Sequence, residues 1–317
     1  MSRKTISKLW RLVISAGLAC LLISSCDEER RKPEFDAALS GYESPRIVGQ
    51  LSSDEITESS GLAASPCQPG VFWTHNDSGD GPYLYALDVS GKNLGVWKVT
   101  GAENIDWEDM AATRTVKGCF LYIGEIGNTE KLERSIHTIY RVPEPLAAAQ
   151  NGPDRTRRNA SDTEPAQAMQ FKYPDGKHDA EALIVHPGTE AIYVLTKKHS
   201  LRAGVYKIAV GFQAGGVMSA ARITYLAVPA VPNGLLTGAS ISPDHRRVIV
   251  CDYTAAYELT LPDGVADFDQ IWNQQPVPVA LGSRKQGEAI TYSADGQSIF
   301  ATSEKKNSPL IEIKRKQ

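Results

Sequence analysis

The chain has 317 residues, of which 42% are hydrophobic and 22% are charged, and this ordinary balance argues against a disordered protein. The formal net charge of −3 gives no basic surface, which argues against nucleic acid as a partner. With 26 glycines and 18 prolines, the composition suits many tight turns between short strands. The length allows one large β domain or two domains of ordinary size.

The first 25 residues predict a targeting segment that is not part of the fold. Positive side chains between Arg3 and Arg11 precede an apolar run, Leu12 to Leu22, that is too short to span a bilayer comfortably. The run leads into Leu22-Ile23-Ser24-Ser25-Cys26, which resembles the lipobox of bacterial lipoprotein signal peptides. The resemblance implies cleavage before Cys26 and acylation of Cys26, which makes a lipid bilayer a partner. An ordinary signal peptide or an uncleaved anchor is the alternative.

Export of this kind places the mature protein in the periplasm or at the cell surface, anchored to the inner or the outer membrane. Residues 26–42 are charged, contain Pro33 and lack a sustained apolar period, which predicts a tether between lipid and domain. From residue 43 to residue 317, short apolar segments alternate with turn residues, as is typical of a β domain.

A short pattern recurs five times along this domain. Each copy has a small or acidic residue, a second small or acidic residue and then a large apolar one. The copies begin at Ser60, Glu108, Glu181, Ala239 and Glu288. Their spacings of about 48, 73, 58 and 49 residues indicate the blades of a β-propeller.

Each copy opens the first of four predicted strands, which we call a to d from the axis outward, but the fifth copy has only three. The segment Arg46–Leu51 precedes the first copy and has no sheet of its own, so we expect it to be the missing outer strand. The fold class is therefore all-β, a five-bladed propeller closed by the N-terminal strand. Six blades would require a hidden repeat in Pro143–Gln167, whose composition instead predicts a surface loop.

The loops that enter strand a and those that join strands b and c emerge on one face, because successive strands are antiparallel. Glu108, Glu181 and Glu288 begin innermost strands there, and their like charges demand a cation or raised pKa values. Carboxylate oxygens without a substrate phosphate suit Ca²⁺ better than Mg²⁺. Ser60 would add a hydroxyl ligand, whereas Ala239 interrupts the ring. Alternatively, the glutamates accept hydrogen bonds from backbone N–H groups of neighbouring blades and hold water.

The same face carries further polar residues in its loops. Asp106, Asp179 and Glu125 are the candidate general bases of a metal-dependent hydrolase, or the acid/base pair of a glycosidase. The candidate ligand contacts are Asp77, Asn128, Lys197, Asp252 and Glu304.

Three cysteines follow Cys26. Cys67 and Cys119 occupy equivalent edges of successive repeats, so a disulfide between neighbouring blades is one possibility. Cys251 lies in an apolar strand and is expected to be a buried free thiol.

Several motifs resemble an uncharacterised family of exported bacterial propellers. The motifs with the clearest resemblance are Asn76-Asp77-Ser78-Gly79, Asp106-Trp107-Glu108-Asp109, Asp179-Ala180-Glu181-Ala182-Leu183 and Gln286-Gly287-Glu288-Ala289-Ile290. A more distant resemblance is to the calcium-activated nucleotidases, five-bladed propellers with one axial Ca²⁺. It implies Ser60, Glu108, Glu181 and Glu288 as metal ligands. The nucleotidase's substrate-binding motifs are not recognisable, so its reaction does not carry over.

The expected function is binding of a small-molecule, glycan or protein ligand on a Ca²⁺-dependent acidic face. A metal-dependent hydrolase of phosphoesters, esters or glycosides is one alternative. A non-catalytic protein-interaction scaffold is the other, because a fold does not fix a function.

Overall fold

The computed structural model describes residues 41–128, 133–147, 155–198, 202–209, 211–212, 215–228 and 235–317. Strands dominate these residues, with two short 3-10 helices, Arg157–Asn159 and Phe268–Asn273. Within the described ranges no helix combines the length and the hydropathy needed to cross a membrane.

The strands form five sheets that correspond to the five predicted repeats. The closing strand is β1 (Arg46–Gln50). The first blade contains β2 (Ser59–Ala64), β3 (Phe72–Asn76), β4 (Tyr83–Leu87) and β5 (Asn93–Lys98). The second contains β6 (Trp107–Thr115), β7 (Gly118–Glu125), β8 (His137–Pro143) and, after the short β9 (Ser161–Asp162), β10 (Gln167–Lys172). The third contains β11 (Ala180–Val185), β12 (Ile192–Thr196), β13 (Ala203–Ile208) and, after β14 (Val217–Ser219), β15 (Ala221–Leu226). The fourth contains β16 (Leu236–Ile241), β17 (Arg247–Asp252), β18 (Ala256–Thr260) and β19 (Val277–Val279). The fifth contains β20 (Gly287–Tyr292), β21 (Ser298–Ser303) and β22 (Pro309–Lys314).

The N-terminal strand closes the ring as predicted. β1 pairs antiparallel with β22, from Arg46 opposite Glu312 to Gln50 opposite Pro309, and completes the fifth blade. Just before β1, the buried Tyr42 donates a hydrogen bond to Glu258 of the fourth blade. The closure therefore joins both ends of the domain through one sheet, and β1 covers the outer edge of β22.

The insertion in the second blade does not form a sixth blade. Its described part contributes β9, which pairs parallel with β5 of the first blade. In the same way β14 from the third blade pairs parallel with β10 of the second. These additions extend the outer edges of two blades, so that neighbouring blades are linked at the rim as well as at the axis.

A buried hydrophobic cluster fills each of the five gaps between neighbouring blades. Between the first and second blades, Trp73 and Trp107 are fully buried and belong to the packing of this gap. The inner strands contact one another in ring order, and β20 returns to β2. Because side chains alternate between the two faces of a strand, each blade buries residues against both neighbours.

The cysteines take the arrangement that the sequence allowed. Cys67 and Cys119 form a disulfide with a Cα–Cα distance of 6.3 Å, linking a turn of the first blade to the start of β7. Cys251 is a buried free thiol, as predicted.

Candidate functional site

The second residue of every inner strand points toward the axis on one face of the propeller. In all five blades the pairing of the inner strand with its neighbour is irregular at this residue, as in a β-bulge. A bulge re-aims side chains and is common beside functional sites. The five residues form the axial ring, and they are Ser60, Glu108, Glu181, Thr237 and Glu288.

The fourth member of this ring corrects the sequence alignment. Ala239 was placed at the axial position, but the irregularity lies between Leu236 and Gly238, so Thr237 is the equivalent residue. The two hydroxyls of the ring have matching roles. Ser60 Oγ donates to the Glu108 carbonyl at 2.5 Å, and Thr237 Oγ1 donates to the Gly287 carbonyl at 3.1 Å. The Ser60 hydroxyl therefore links two blades, and its hydrogen is committed to that bond.

Below the ring, one buried aspartate joins three blades. Asp109 Oδ1 accepts from the N–H of Met110 at 2.8 Å. Its Oδ2 accepts from the N–H groups of Leu183 at 2.8 Å and Ala239 at 3.2 Å, which belong to the third and fourth blades. Asp109 is fully buried, and burial raises its pKa while the three N–H donors oppose the rise. The sequence left open that the axial glutamates accept hydrogen bonds from backbone N–H groups of neighbouring blades. In the structure Asp109 accepts such bonds.

Carboxylates from three blades converge above the ring in two groups. Asp77, Asp106 and Glu108 form one group, and Glu108, Asp179 and Glu181 form the other. Within each group, one potential ligand atom per residue lies within 4.8 Å of the others. Oxygens that share a Ca²⁺ ion at about 2.3–2.6 Å each can be separated by up to about twice that length, so both groups fit this cation.

Three of these carboxylates have unused hydrogen-bonding capacity among the described residues: Asp77 Oδ1 has no partner, and Asp106 and Glu108 accept no hydrogen bond with either oxygen. Asp106 and Glu108 are 4% and 7% exposed. Both face Gly127, where a Cβ atom would lie 2.1 Å from Glu108 Oε1 and 2.5 Å from Asp106 Oδ2. Only glycine can approach these oxygens so closely, and buried carboxylates are normally paired or bound to a metal.

The loop that carries Gly127 is held by an ion pair. The Glu125 carboxylate accepts from the backbone N–H groups of Ile105 at 2.8 Å and Asp106 at 3.0 Å, and it is paired with Arg134. Arg134 also donates to the Gly127 carbonyl and lies 3.9 Å from Asp106 Oδ2. Glu125 is therefore fully engaged in holding this loop.

The candidate contacts Asn128 and Lys197 lie beside the second group. The N–H of Asn128 donates to Asp179 Oδ1 at 2.8 Å, and its side-chain oxygen accepts from the N–H of Arg134 at 2.7 Å. The Lys197 ammonium is paired with one oxygen of Glu181 and donates to the Tyr253 hydroxyl at 2.6 Å. The positively charged side chain of Lys197 therefore lies among these carboxylates.

Burial and repulsion between like charges raise the pKa values of several of these carboxyl groups. Burial raises the pKa of Glu108 well above its usual range, and Glu181 and Asp77 add to the rise. Burial and the neighbouring carboxylate of Asp106 raise the pKa of Asp77 to about 7. For Asp106, burial outweighs the opposing charge of Arg134 and raises the pKa to about 6. The raised pKa values mean that these carboxyl groups hold a proton more readily than usual. The same crowding of negative charge would favour a bound cation.

The pKa values of the two other axial glutamates, Glu181 and Glu288, are also raised. Burial raises the pKa of Glu181, although the Lys197 ammonium opposes the rise. Burial, the charge of Glu181 and a hydrogen bond with Glu304 raise the pKa of Glu288 to about 9. The charge of Glu181 therefore acts on both Glu108 and Glu288. Among the described residues, neither carboxylate group includes Glu288.

Asp252 and Glu304, the two other candidate contacts, have local partners. Asp252 Oδ1 caps its own turn, where it accepts from the N–H groups of Thr254 and Ala255 at 2.7 and 2.8 Å. Glu304 lies beside Glu288 and forms an ion pair with Lys305 at 3.3 Å.

The opposite end of the axis has a different character. A cavity of about 350 Å³ lies there, lined by residues near the ends of the inner strands such as Leu62, Met110, Leu183, Ile241 and Tyr292. Among the residues that the structure describes, no carboxylate lines this cavity. The acidic residues are thus concentrated at one end of the axis.

The sequence did not identify several residues that build this site. Asp109, Arg134, Gly127, Thr237 and Tyr253 were all assigned no role in it. Two of them carried a usable signal in the sequence. Asp109 stands where the other copies have Gly, Ala or Ser, and Gly127 follows a predicted strand end.

Comparisons with known proteins give no family. No protein-family model and no curated protein matches the chain. The structure is similar to the soluble aldose sugar dehydrogenase of Escherichia coli in its apo-form, with 8% identity, a TM-score of 0.44 and coverage of 86% of this chain and 99% of that one. It is also similar to Kuenenia stuttgartiensis hydrazine synthase, with 15% identity, a TM-score of 0.38 and coverage of 80% and 57%. At these levels neither similarity informs the chemistry of the site.

Proposed function

We propose that this protein is an exported, lipid-anchored propeller that binds Ca²⁺ on its acidic axial face and, through it, an extracytoplasmic ligand. The observation that carries the proposal is the convergence of five carboxylates from three blades. Two of them, Asp106 and Glu108, are buried without a hydrogen bond from the described residues.

The donor set supports Ca²⁺ over other metals. The converging side chains offer carboxylate oxygens only, and neither group contains histidine or cysteine, the ligands that zinc and copper prefer. Ca²⁺ accepts six to eight oxygens in flexible geometry, whereas Mg²⁺ demands a near-ideal octahedron. With one oxygen from each carboxylate, a group of three supplies three of the six to eight positions, so the others are left for further oxygens, including those of a ligand.

Direct binding tests this proposal. We expect calorimetry on the full chain, purified in detergent and stripped with chelator, to detect Ca²⁺ with an affinity in the micromolar to millimolar range. At 100 times the dissociation constant, binding adds about 2.7 kcal/mol of stability and raises Tm accordingly. Glu108→Gln should weaken binding strongly, and Asp295→Asn, in a turn on the opposite face, should not. The absence of both binding and a Tm shift would refute the proposal.

The anchor has its own test. Cys26→Ser should release the protein from the membrane fraction, because acylation of this cysteine supplies the attachment. Retention of this variant on membranes would argue for an uncleaved apolar anchor instead.

A metal-dependent hydrolase is the second candidate, favoured by one observation. Of the three candidate bases, Asp106 combines an unused carboxylate with a pKa of about 6, which suits a general base near neutral pH. Phosphoesters, esters and glycosides would be screened with Ca²⁺ present. We expect any activity to fall at least 100-fold in Asp106→Asn, and an activity that survives this change would exclude Asp106 as the base.

A further inference from the structure

The two carboxylate groups on the acidic face share one member. Glu108 belongs both to the group with Asp77 and Asp106 and to the group with Asp179 and Glu181. We propose that the face binds two divalent cations, with the carboxylate of Glu108 as the bridge between them. The inference rests on the proposed cation site, and it takes Asp106 as a ligand rather than as a base.

The position of Glu108 suits a bridge. It is the second residue of β6, so the first blade's Asp77 reaches it from one side and the third blade's Glu181 from the other. Its carboxylate accepts no hydrogen bond from the described residues, which leaves two oxygens available. In two-metal sites the ions lie about 3.5–4 Å apart, a separation that one carboxylate can span.

The charges of the two carboxylate groups and of the ion pairs that touch them leave room for two divalent cations. The five carboxylates of the two groups, together with Glu125, carry six negative charges when ionised. Arg134 and Lys197 supply two positive charges, so four negative charges remain. One divalent cation would neutralise half of this excess, and two would neutralise all of it. Unpaired buried charge is costly, so the second cation has a physical reason to bind.

Independent evidence for a ligand comes from the first group. Asp106 is nine-tenths buried, and its Oδ2 has no hydrogen-bond partner among the described residues, with Arg134 no closer than 3.9 Å. This oxygen and Glu108 Oε1 point at the same space beside Gly127. A buried carboxylate oxygen in this position needs a cation or an ordered water.

Lys197 does not replace the second cation. Its ammonium is paired with Glu181 Oε1 and donates to Tyr253, so it engages one of the two Glu181 oxygens. The N–H of Asn128 likewise engages Asp179 Oδ1. These bonds orient Glu181 and Asp179 toward Glu108, as bonds to the outer atoms of metal ligands commonly do.

Stoichiometry tests the proposal with Ca²⁺ alone as the probe. We expect equilibrium dialysis of the chelator-stripped full chain to give two bound Ca²⁺ per chain. Asp77→Asn and Asp179→Asn should each retain one, because each removes a ligand of one group. Glu108→Gln should weaken both by at least tenfold, and Asp295→Asn on the opposite face should keep two.

The outcomes separate this inference from the proposed function. A single bound Ca²⁺ in the unaltered chain would overturn the second cation and leave the proposed function intact, while no bound Ca²⁺ would overturn both. Two ions of which Glu108→Gln removes only one would overturn the bridge. Mn²⁺ offers a measurement that needs no variant, because two ions bridged by one carboxylate give a spin-coupled resonance spectrum. Two bound but uncoupled Mn²⁺ ions would also overturn the bridge.

Discussion

Removing the carboxylate of Asp109 should destabilise the propeller more than removing any exposed aspartate. In Asp109→Ala the N–H groups of Met110, Leu183 and Ala239 lose their acceptor inside the structure. Each buried donor without a partner costs about 1–3 kcal/mol. We therefore expect a loss of at least about 3 kcal/mol, a large part of the 5–15 kcal/mol that typically stabilises a folded domain.

A milder variant shows whether hydrogen bonding is the cause. Asp109→Asn keeps the shape and one acceptor oxygen, which can still serve Leu183 and Ala239. Its amide NH₂ then faces the N–H of Met110, so one bond is replaced by opposed donors. We expect a loss of about 1–3 kcal/mol, between the unaltered chain and Asp109→Ala.

Equilibrium urea unfolding, with chelator present to remove any cation effect, measures both variants. The matched control is Asp295→Ala, since Asp295 accepts from Ser293 Oγ at 2.6 Å and the N–H of Gln297 at 3.0 Å on an exposed turn. We expect this control to lose about 1 kcal/mol or less, because water replaces the lost partners. A loss in Asp109→Ala no larger than that of the control would refute the role of Asp109 as the link between three blades.

Three further predictions concern the site, the disulfide and pH. Gly127→Ala should abolish Ca²⁺ binding in calorimetry, because its Cβ would lie 2.1 Å from Glu108 Oε1, whereas Gly215→Ala, which meets nothing within 4 Å, should bind normally. Replacing Cys67 and Cys119 together by serine should lower the free energy of unfolding by up to about 4 kcal/mol in urea titrations, since the bridge spans 52 residues; an unchanged midpoint would contradict this. The folded-state pKa of Glu288, about 9, exceeds its usual 4.5, so the folded chain holds this proton more tightly and loses stability as pH rises toward 9. Between pH 6.5 and 9 the Tm of the metal-free protein should therefore fall, and less steeply in Glu288→Gln; a flat or rising Tm would count against the raised pKa.

The sequence by itself determined the architecture. The repeated pattern and the missing fifth outer strand predicted five blades and their closure by Arg46–Leu51, of which Arg46–Gln50 forms β1, because a fifth blade of three strands lacks the strand that covers its outer edge. It also placed Glu108 and Glu181 at the starts of inner strands, where antiparallel geometry brings them to one face. Both predictions depend on local periodicity and on strand direction, which the order of residues contains.

The tertiary structure decided what each axial residue touches. The position of Thr237 depends on an irregularity in the pairing of β16 with β17, which is defined by hydrogen bonds between two strands and not by the residues of either strand alone. Asp109 accepts from residues 74 and 130 positions away along the chain. Such partners are set by the packing of whole blades around the axis. The sequence alone therefore could not distinguish the aspartate that joins the blades from the glutamates whose carboxylates face one another near the axis.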